Sequence, residues 1–164
     1  MTTNIETTVV LPSPSSTYLV LGDLYTLLAE GKDTGGTYGL VEALMQPQSS
    51  VALHIHDQMD EAHYILEGEI EYQLDQQTMV ATSGTFIRLP KGEYHGFKNI
   101  GTKPAKILYL LTPGGSEQFF AEVGQSVKLP MTQEEKGSLL GVVNSADLEK
   151  VSVAASKYAR FLTS

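Results

Sequence analysis

Cysteine is absent from the 164-residue chain. That absence removes disulfide staples, thiolate nucleophiles and cysteine-held zinc or iron–sulfur centres, so any metal must be held by nitrogen and oxygen. Tryptophan is also missing, and histidine is scarce, with four residues in all. Basic charge is short as well. Against 19 Asp and Glu stand 11 Lys and Arg, a formal charge of −8 that repels polyanions and argues against nucleic acid or an anionic membrane surface as partner. No apolar run approaches the roughly 20 residues of a membrane helix. The opening MTTNIETTVVLPSPSSTYLVLG has no basic n-region, so a cytoplasmic protein without a signal peptide is expected. What remains is ordinary for a chain that buries one core: 41% apolar and 18% charged residues.

The polar, proline-bearing start predicts a flexible arm over residues 1–16. From 17 to 113 the chain reads as short strands closed by turn residues. TYLVLG, LYTLLAEG, TYGLVEALM, VALHIH, EAHYILEG, EIEYQL, TFIRLP, HGFKNI and AKILYLL are separated by PQSS, DQMD, DQQ, TSG, PKGE and IGTKP. Many short strands at near-regular spacing predict an all-β sandwich or barrel. Residues 114–164 change grammar. GGSEQFFAEVGQ, with Ser116 as cap, and SADLEKVSVAASKYARFL, with Ser145 as cap and Leu148, Val151, Ala155 and Tyr158 at helical spacing, predict two short helices laid over an open side of the barrel. The segment between them reads as loop with a possible turn of helix.

Three of the four histidines fall in HIHDQMDEAHYILEG, residues 54–68. Residues two apart share a face of a strand, so His54 and His56 project together while Leu53 and Ile55 point away. Beyond a four-residue turn, Glu61 opens the next strand, and a hairpin can fold its carboxylate back beside the imidazoles. An adjacent strand could supply a third imidazole, and His95 stands just past a Pro-Gly turn at the start of another predicted strand. Three imidazoles and one carboxylate suit one divalent transition metal (Fe, Mn, Ni, Cu, Co or Zn) and leave positions open for water or substrate.

These spacings resemble the two motifs of the cupin superfamily. His54, His56, Glu61 and Gly68 match the first, and Gly84, Pro90, Gly92, His95 and Asn99 match the second. The flanking stretches, from about 18 to 124, resemble single-domain cupins labelled quercetin 2,3-dioxygenase-like. The resemblance implies a double-stranded β-helix, or jelly-roll, barrel, with His54, His56, Glu61 and His95 as metal ligands. Gly68, Gly84, Pro90 and Gly92 are then turn residues, and Asn99 hydrogen-bonds backbone at a strand end. One departure is Gln48, six residues before the first histidine, where the family often has glycine; a different loop conformation is expected there.

His63 shares the face of Glu61, where the resembled family usually shows an aromatic ring. Three roles stand open for it: a partner to a ligand, a proton acceptor for substrate, or a core imidazole. Glu61 and His63 are the candidate catalytic residues. Alternation places Tyr38, Leu40 and Leu44 on one pocket wall, Ile65 on the Glu61 face and Phe97 beside His95. The leading expectation is a metal-dependent dioxygenase acting on a flavonol or other enolic aromatic compound, with dioxygen as co-substrate. A rival is a metal cupin that binds a small molecule without turnover, as sensor or carrier. A third is a sugar or keto-acid isomerase, for which Arg88 and Lys98 are the nearby cations. By analogy with other cupins a homodimer is expected.

Overall fold

The period-two alternation that runs from Thr17 onward becomes β-structure in the computed structural model, which describes residues 7–162. In chain order the strands are β1 (Thr17–Val20), β2 (Asp23–Ala29), β3 (Gly39–Met45), β4 (Ser50–Ile55), β5 (Asp60–Glu67), β6 (Glu69–Leu74), β7 (Gln77–Thr82), β8 (Phe86–Leu89), β9 (His95–Asn99) and β10 (Ala105–Thr112). Then come α1 (Gln118–Val123), β11 (Gln125–Val127), α2 (Gln133–Leu139), α3 (Ser145–Ala155) and β12 (Arg160–Phe161). One sheet has the order β11-β1-β2-β3-β10-β5-β8 and the other β12-β4-β9-β6-β7. Every pairing is antiparallel. The core lies between the two sheets: Val41, Ala43, Met45, Ile65, Ile107 and Tyr109 from the first meet Ile70, Tyr72, Ala81 and Phe97 from the second. This is the jelly-roll architecture expected, with short helices after it.

The turn residues of the motifs behave as their chemistry requires. Gly68 has φ of +97°, and a Cβ there would lie 2.6 Å from the Cβ of Ala105, so only glycine fits. Gln48 also adopts a left-handed φ, +65°. Gln48 thus holds a backbone conformation that glycine adopts more readily. Gln48 N–H donates to Asn99 O and Asn99 N–H to Ser49 O, both at 3.0 Å, and those bonds hold a glycine-like turn despite the side chain.

Three expectations need correction. Leu40 and Leu44 face outward rather than into the barrel: Val41, Ala43 and Met45 are the buried residues of β3, Leu40 lies opposite Leu110, and Leu44 packs beside Leu24. Tyr38 precedes the strand and is 40% exposed. The outward face of β3 carries Glu42 between Leu40 and Leu44, so the polar signal on that face is a single residue between two leucines and sets the phase only weakly. Near the C-terminus, α1 begins after Glu117 and α3 is capped by Asn144, whose side chain accepts from Asp147 N–H, so Ser116 and Ser145 are not the caps. Tyr158 lies beyond the end of α3. In the arm, residues 7–16 form neither helix nor strand, and the rest of that expectation lies outside the described residues.

Asp23 ties the first hairpin to the turn that leads to the histidines. It is buried; Oδ1 accepts from Gln46 N–H at 2.7 Å and Oδ2 from Ser49 Oγ–H at 2.5 Å. Burial outweighs those bonds and raises its pKa from 3.8 to about 6. The folded state therefore holds a proton that the unfolded chain releases first, and stability falls as pH rises through that window. Asparagine can keep both bonds without the desolvated charge. Asp23→Asn should stabilise the protein by about 2–3 kcal/mol at pH 8, with the gain shrinking to near zero by about pH 4. Chemical denaturation at both pH values checks this; an unchanged difference between them would contradict it.

Candidate metal centre

His54 and His56 project from β4 and its end on one face, Glu61 sits at the second position of β5, and His95 opens β9 directly opposite His54. The β4–β5 connection returns the carboxylate to the imidazoles, so that one ligand atom from each of the four residues lies within 4.8 Å of the others. All four residues are between 2% and 9% exposed.

Hydrogen bonding assigns the free nitrogens. Nδ1 of His54 donates to Ala52 O at 2.8 Å, Nδ1 of His56 to Tyr158 O at 2.8 Å and Nδ1 of His95 to Glu93 O at 3.3 Å. A carbonyl only accepts, so each neutral ring keeps a lone pair on Nε2. These three nitrogens converge. His54 Nε2 and His56 Nε2 are 3.2 Å apart, and Glu61 Oε2 lies 3.2 Å from His56 Nε2 and 3.4 Å from His95 Nε2. His95 Nε2 is buried with no hydrogen-bond partner. Lone pairs and a carboxylate facing one another across so little space repel unless a cation lies between them, so the donor set fits one metal ion. The electrostatics differ between the imidazoles: at His56 burial pushes the pKa down, but the Glu61 carboxylate and the Tyr158 carbonyl outweigh it and raise it. Burial pushes His54 down to about 4, which leaves it neutral at pH 7 with a lone pair available to a metal. Burial also pushes upward on Glu61, but His63, with its bond to Oε1, and the imidazoles of His56 and His95 beside Oε2 outweigh it and keep the carboxyl well below its usual range.

His63 finds its place here. It is fully buried; Nε2 donates to Glu61 Oε1 and Nδ1 accepts from Tyr72 Oη–H, each at 2.7 Å. Burial raises Tyr72 far above the usual phenol range, so its hydroxyl is a donor. The imidazole stacks on Tyr109 at 4.0 Å and 15° and meets Phe97 edge-on at 5.0 Å. Both nitrogens are occupied, which leaves none for a substrate. His63 holds Oε1 of Glu61, so that Oε2 faces His56 and His95.

Ile65 and Phe97 are buried in the barrel core, whereas Tyr38, Leu40 and Leu44 lie away from the centre. Arg88 is exposed and pairs with Asp60 at 3.7 Å, and Lys98 points away from the alternation of His95 and Phe97. Sequence reasoning missed Tyr109, although Ile107, Tyr109 and Leu111 alternate inward along AKILYLL. It also missed the approach of Tyr158 and Phe161, for which no local pattern exists.

Residues 41–113 match the family described as Cupin domain. The chain is 30% identical over 125 residues to the polyketide synthase CurC of Streptomyces cyaneus, covering 71% of this chain and 80% of that protein. It is 28% identical over 116 residues to the quercetin 2,3-dioxygenase of Bacillus subtilis, covering 70% of this chain but spanning only 34% of the relative's length. Among solved structures, a protein from Thermotoga maritima described as a predicted oxalate decarboxylase superposes with a TM-score of 0.58 at 22% identity, covering 64% of this chain and 98% of that one. This last likeness speaks to the fold alone.

Proposed function

This chain belongs to the cupin superfamily, and on that premise we propose that it is a metal-dependent dioxygenase whose substrate is an enolic, polyhydroxylated aromatic compound. The observation that carries the reading is the His54, His56, Glu61 and His95 centre set against an interior wall of Phe97, Tyr72 and Tyr109. Support comes from two relatives, one named for quercetin, a polyhydroxylated aromatic, and one for polyketide synthesis.

When bound, the metal supplies a Lewis-acidic, redox-capable cation for a deprotonated enol oxygen and dioxygen. The chain's own residues prepare that chemistry. Three carbonyls hold the imidazoles with Nε2 inward. Glu61 cancels one unit of the cation's charge and leaves a net positive centre, which favours an anionic oxygen over a neutral one. His63 and Tyr72 fix that carboxylate, so Glu61 acts as a ligand and not as a mobile base. The buried aromatic wall keeps water from the reacting carbon skeleton.

Oxygen uptake by protein loaded in turn with Fe, Mn, Ni, Co, Cu or Zn, against flavonols and other enolic polyphenols, tests the proposal. At least one metal form should consume one dioxygen per substrate lost. No uptake in any form would contradict it, and tight binding of an unaltered polyphenol would favour a carrier instead.

A further inference from the structure

The metal centre is completed from outside the barrel strands. His54 and His95 are oriented by carbonyls two residues before them, Ala52 on β4 and Glu93 in the turn that leads into β9, but the carbonyl that orients His56 belongs to Tyr158, 102 residues along the chain. From there the chain crosses the site. Arg160 and Phe161 pair with Ile55 and His54 of β4, and Leu162 N–H donates to Leu53 O at 3.2 Å. The Phe161 ring lies 5.4 Å from that of His54, tilted by 31°, and is 43% exposed, so it stands between an imidazole ligand and solvent. The Arg160 guanidinium grips Asp57 through two bonds of 2.7 Å. Upstream, Tyr158 Oη–H donates to Glu122 of α1 at 2.9 Å, and its ring meets Phe119 at 5.3 Å.

We propose that residues 158–162 form a strap that both finishes the metal centre and gates it. Laid on β4, it fixes the tautomer of His56 and screens His54; it must lift from β4 before an organic substrate reaches the ligands. The inference rests on the metal-centre reading above. Ligands no more than 9% exposed leave no path for a polyphenol, so some wall has to move. The strap is the wall held most lightly. Its β-pairing spans two residues, its ion pair is exposed on both sides and its aromatic anchor is half in water. The other strands of the centre lie inside the two sheets: β5 pairs on both edges with β10 and β8, β9 pairs on both edges with β4 and β6, and β4 pairs with β9 on the edge away from the strap. The Tyr158–Glu122 bond keeps the upstream end on α1, which makes residues 158–160 the natural hinge.

The test needs no substrate. Diethyl pyrocarbonate acylates unprotonated imidazoles, and mass spectrometry of metal-free protein reads His54, His56 and His95 separately. Arg160→Ala should speed acylation of His54 and His56 about fivefold, and Arg160→Ala with Phe161→Ala more than about tenfold. His95, which the strap does not touch, should be unchanged. Because the chain has no cysteine, Leu53→Cys with Leu162→Cys creates a single possible disulfide between opposed residues of β4 and the strap. Its oxidised form should protect both histidines, and reduction should restore the parent rate. Release of a loaded metal to chelator should follow the same order. Equal acylation rates in all variants, or a rise at His95 in step with His54, would overturn the strap. Failure to take up metal would instead sink the metal-centre reading, while the acylation rates would still decide the strap.

Discussion

Glu61→Gln should lower metal affinity by a factor of about 10² to 10³, measured by competition with a chromophoric chelator, while the far-ultraviolet circular dichroism stays that of the parent. The carboxylate is the only charged group in the donor set, and it is 6% exposed. Removing one partner of a buried charge pair costs about 3–5 kcal/mol, which sets the range. Glutamine adds a second penalty. Its two ends differ, so either the amide NH₂ faces the Nε2–H of His63 or it faces the converging Nε2 atoms and the metal. One arrangement opposes two donors, and the other presents the metal with a group that cannot ligate. An affinity within about threefold of the parent would mean that Glu61 is not a ligand.

The largest expected loss of stability falls outside the ligand set. Asn99 is fully buried; Nδ2 donates to Met45 O at 2.9 Å and Lys103 O at 3.0 Å, and Oδ1 accepts from Gly101 N–H at 2.9 Å. One side chain thus closes the turn after β9 and binds it to the end of β3. Asn99→Leu strands three backbone groups, each costing about 1–3 kcal/mol when left without a partner. A total of about 3–5 kcal/mol allows for relaxation and partial hydration, which lowers Tm by about 10–15 °C in a chain of this size. Calorimetry should show that drop. A shift below about 3 °C would show that water replaces the side chain without loss.

The four candidate ligands were legible because their spacings resemble the two cupin motifs, His95 coming from the second; strand geometry adds that His-x-His places two imidazoles on one face and that a hairpin can return Glu61 to them. The barrel strands were legible through the same geometry wherever one face was polar. Where that contrast fails, sequence reading fails with it. Leu40 and Leu44 are as apolar as the buried Val41, Ala43 and Met45, so the phase of β3 was settled only by its register with β10. β7 escaped notice because QTMVAT is mostly exposed and carries no inward apolar stripe. The left-handed backbone of Gln48 had no signature in its residue type, because bonds to β9 hold it. The strap was invisible, since two paired residues have no period and the carbonyl of Tyr158 carries no side-chain signature. His63 could be placed on the correct face from spacing, but its role needed Tyr72, a residue on another sheet.

The central claim is that His54, His56, Glu61 and His95 bind a single metal ion. Metal-edge X-ray absorption on protein purified without chelators, paired with elemental analysis, tests it most directly. The account predicts one metal per chain, with three imidazole nitrogens and at least one oxygen in its coordination shell. Less than one-tenth of an equivalent after attempted loading, or a shell without imidazole scattering, would contradict it.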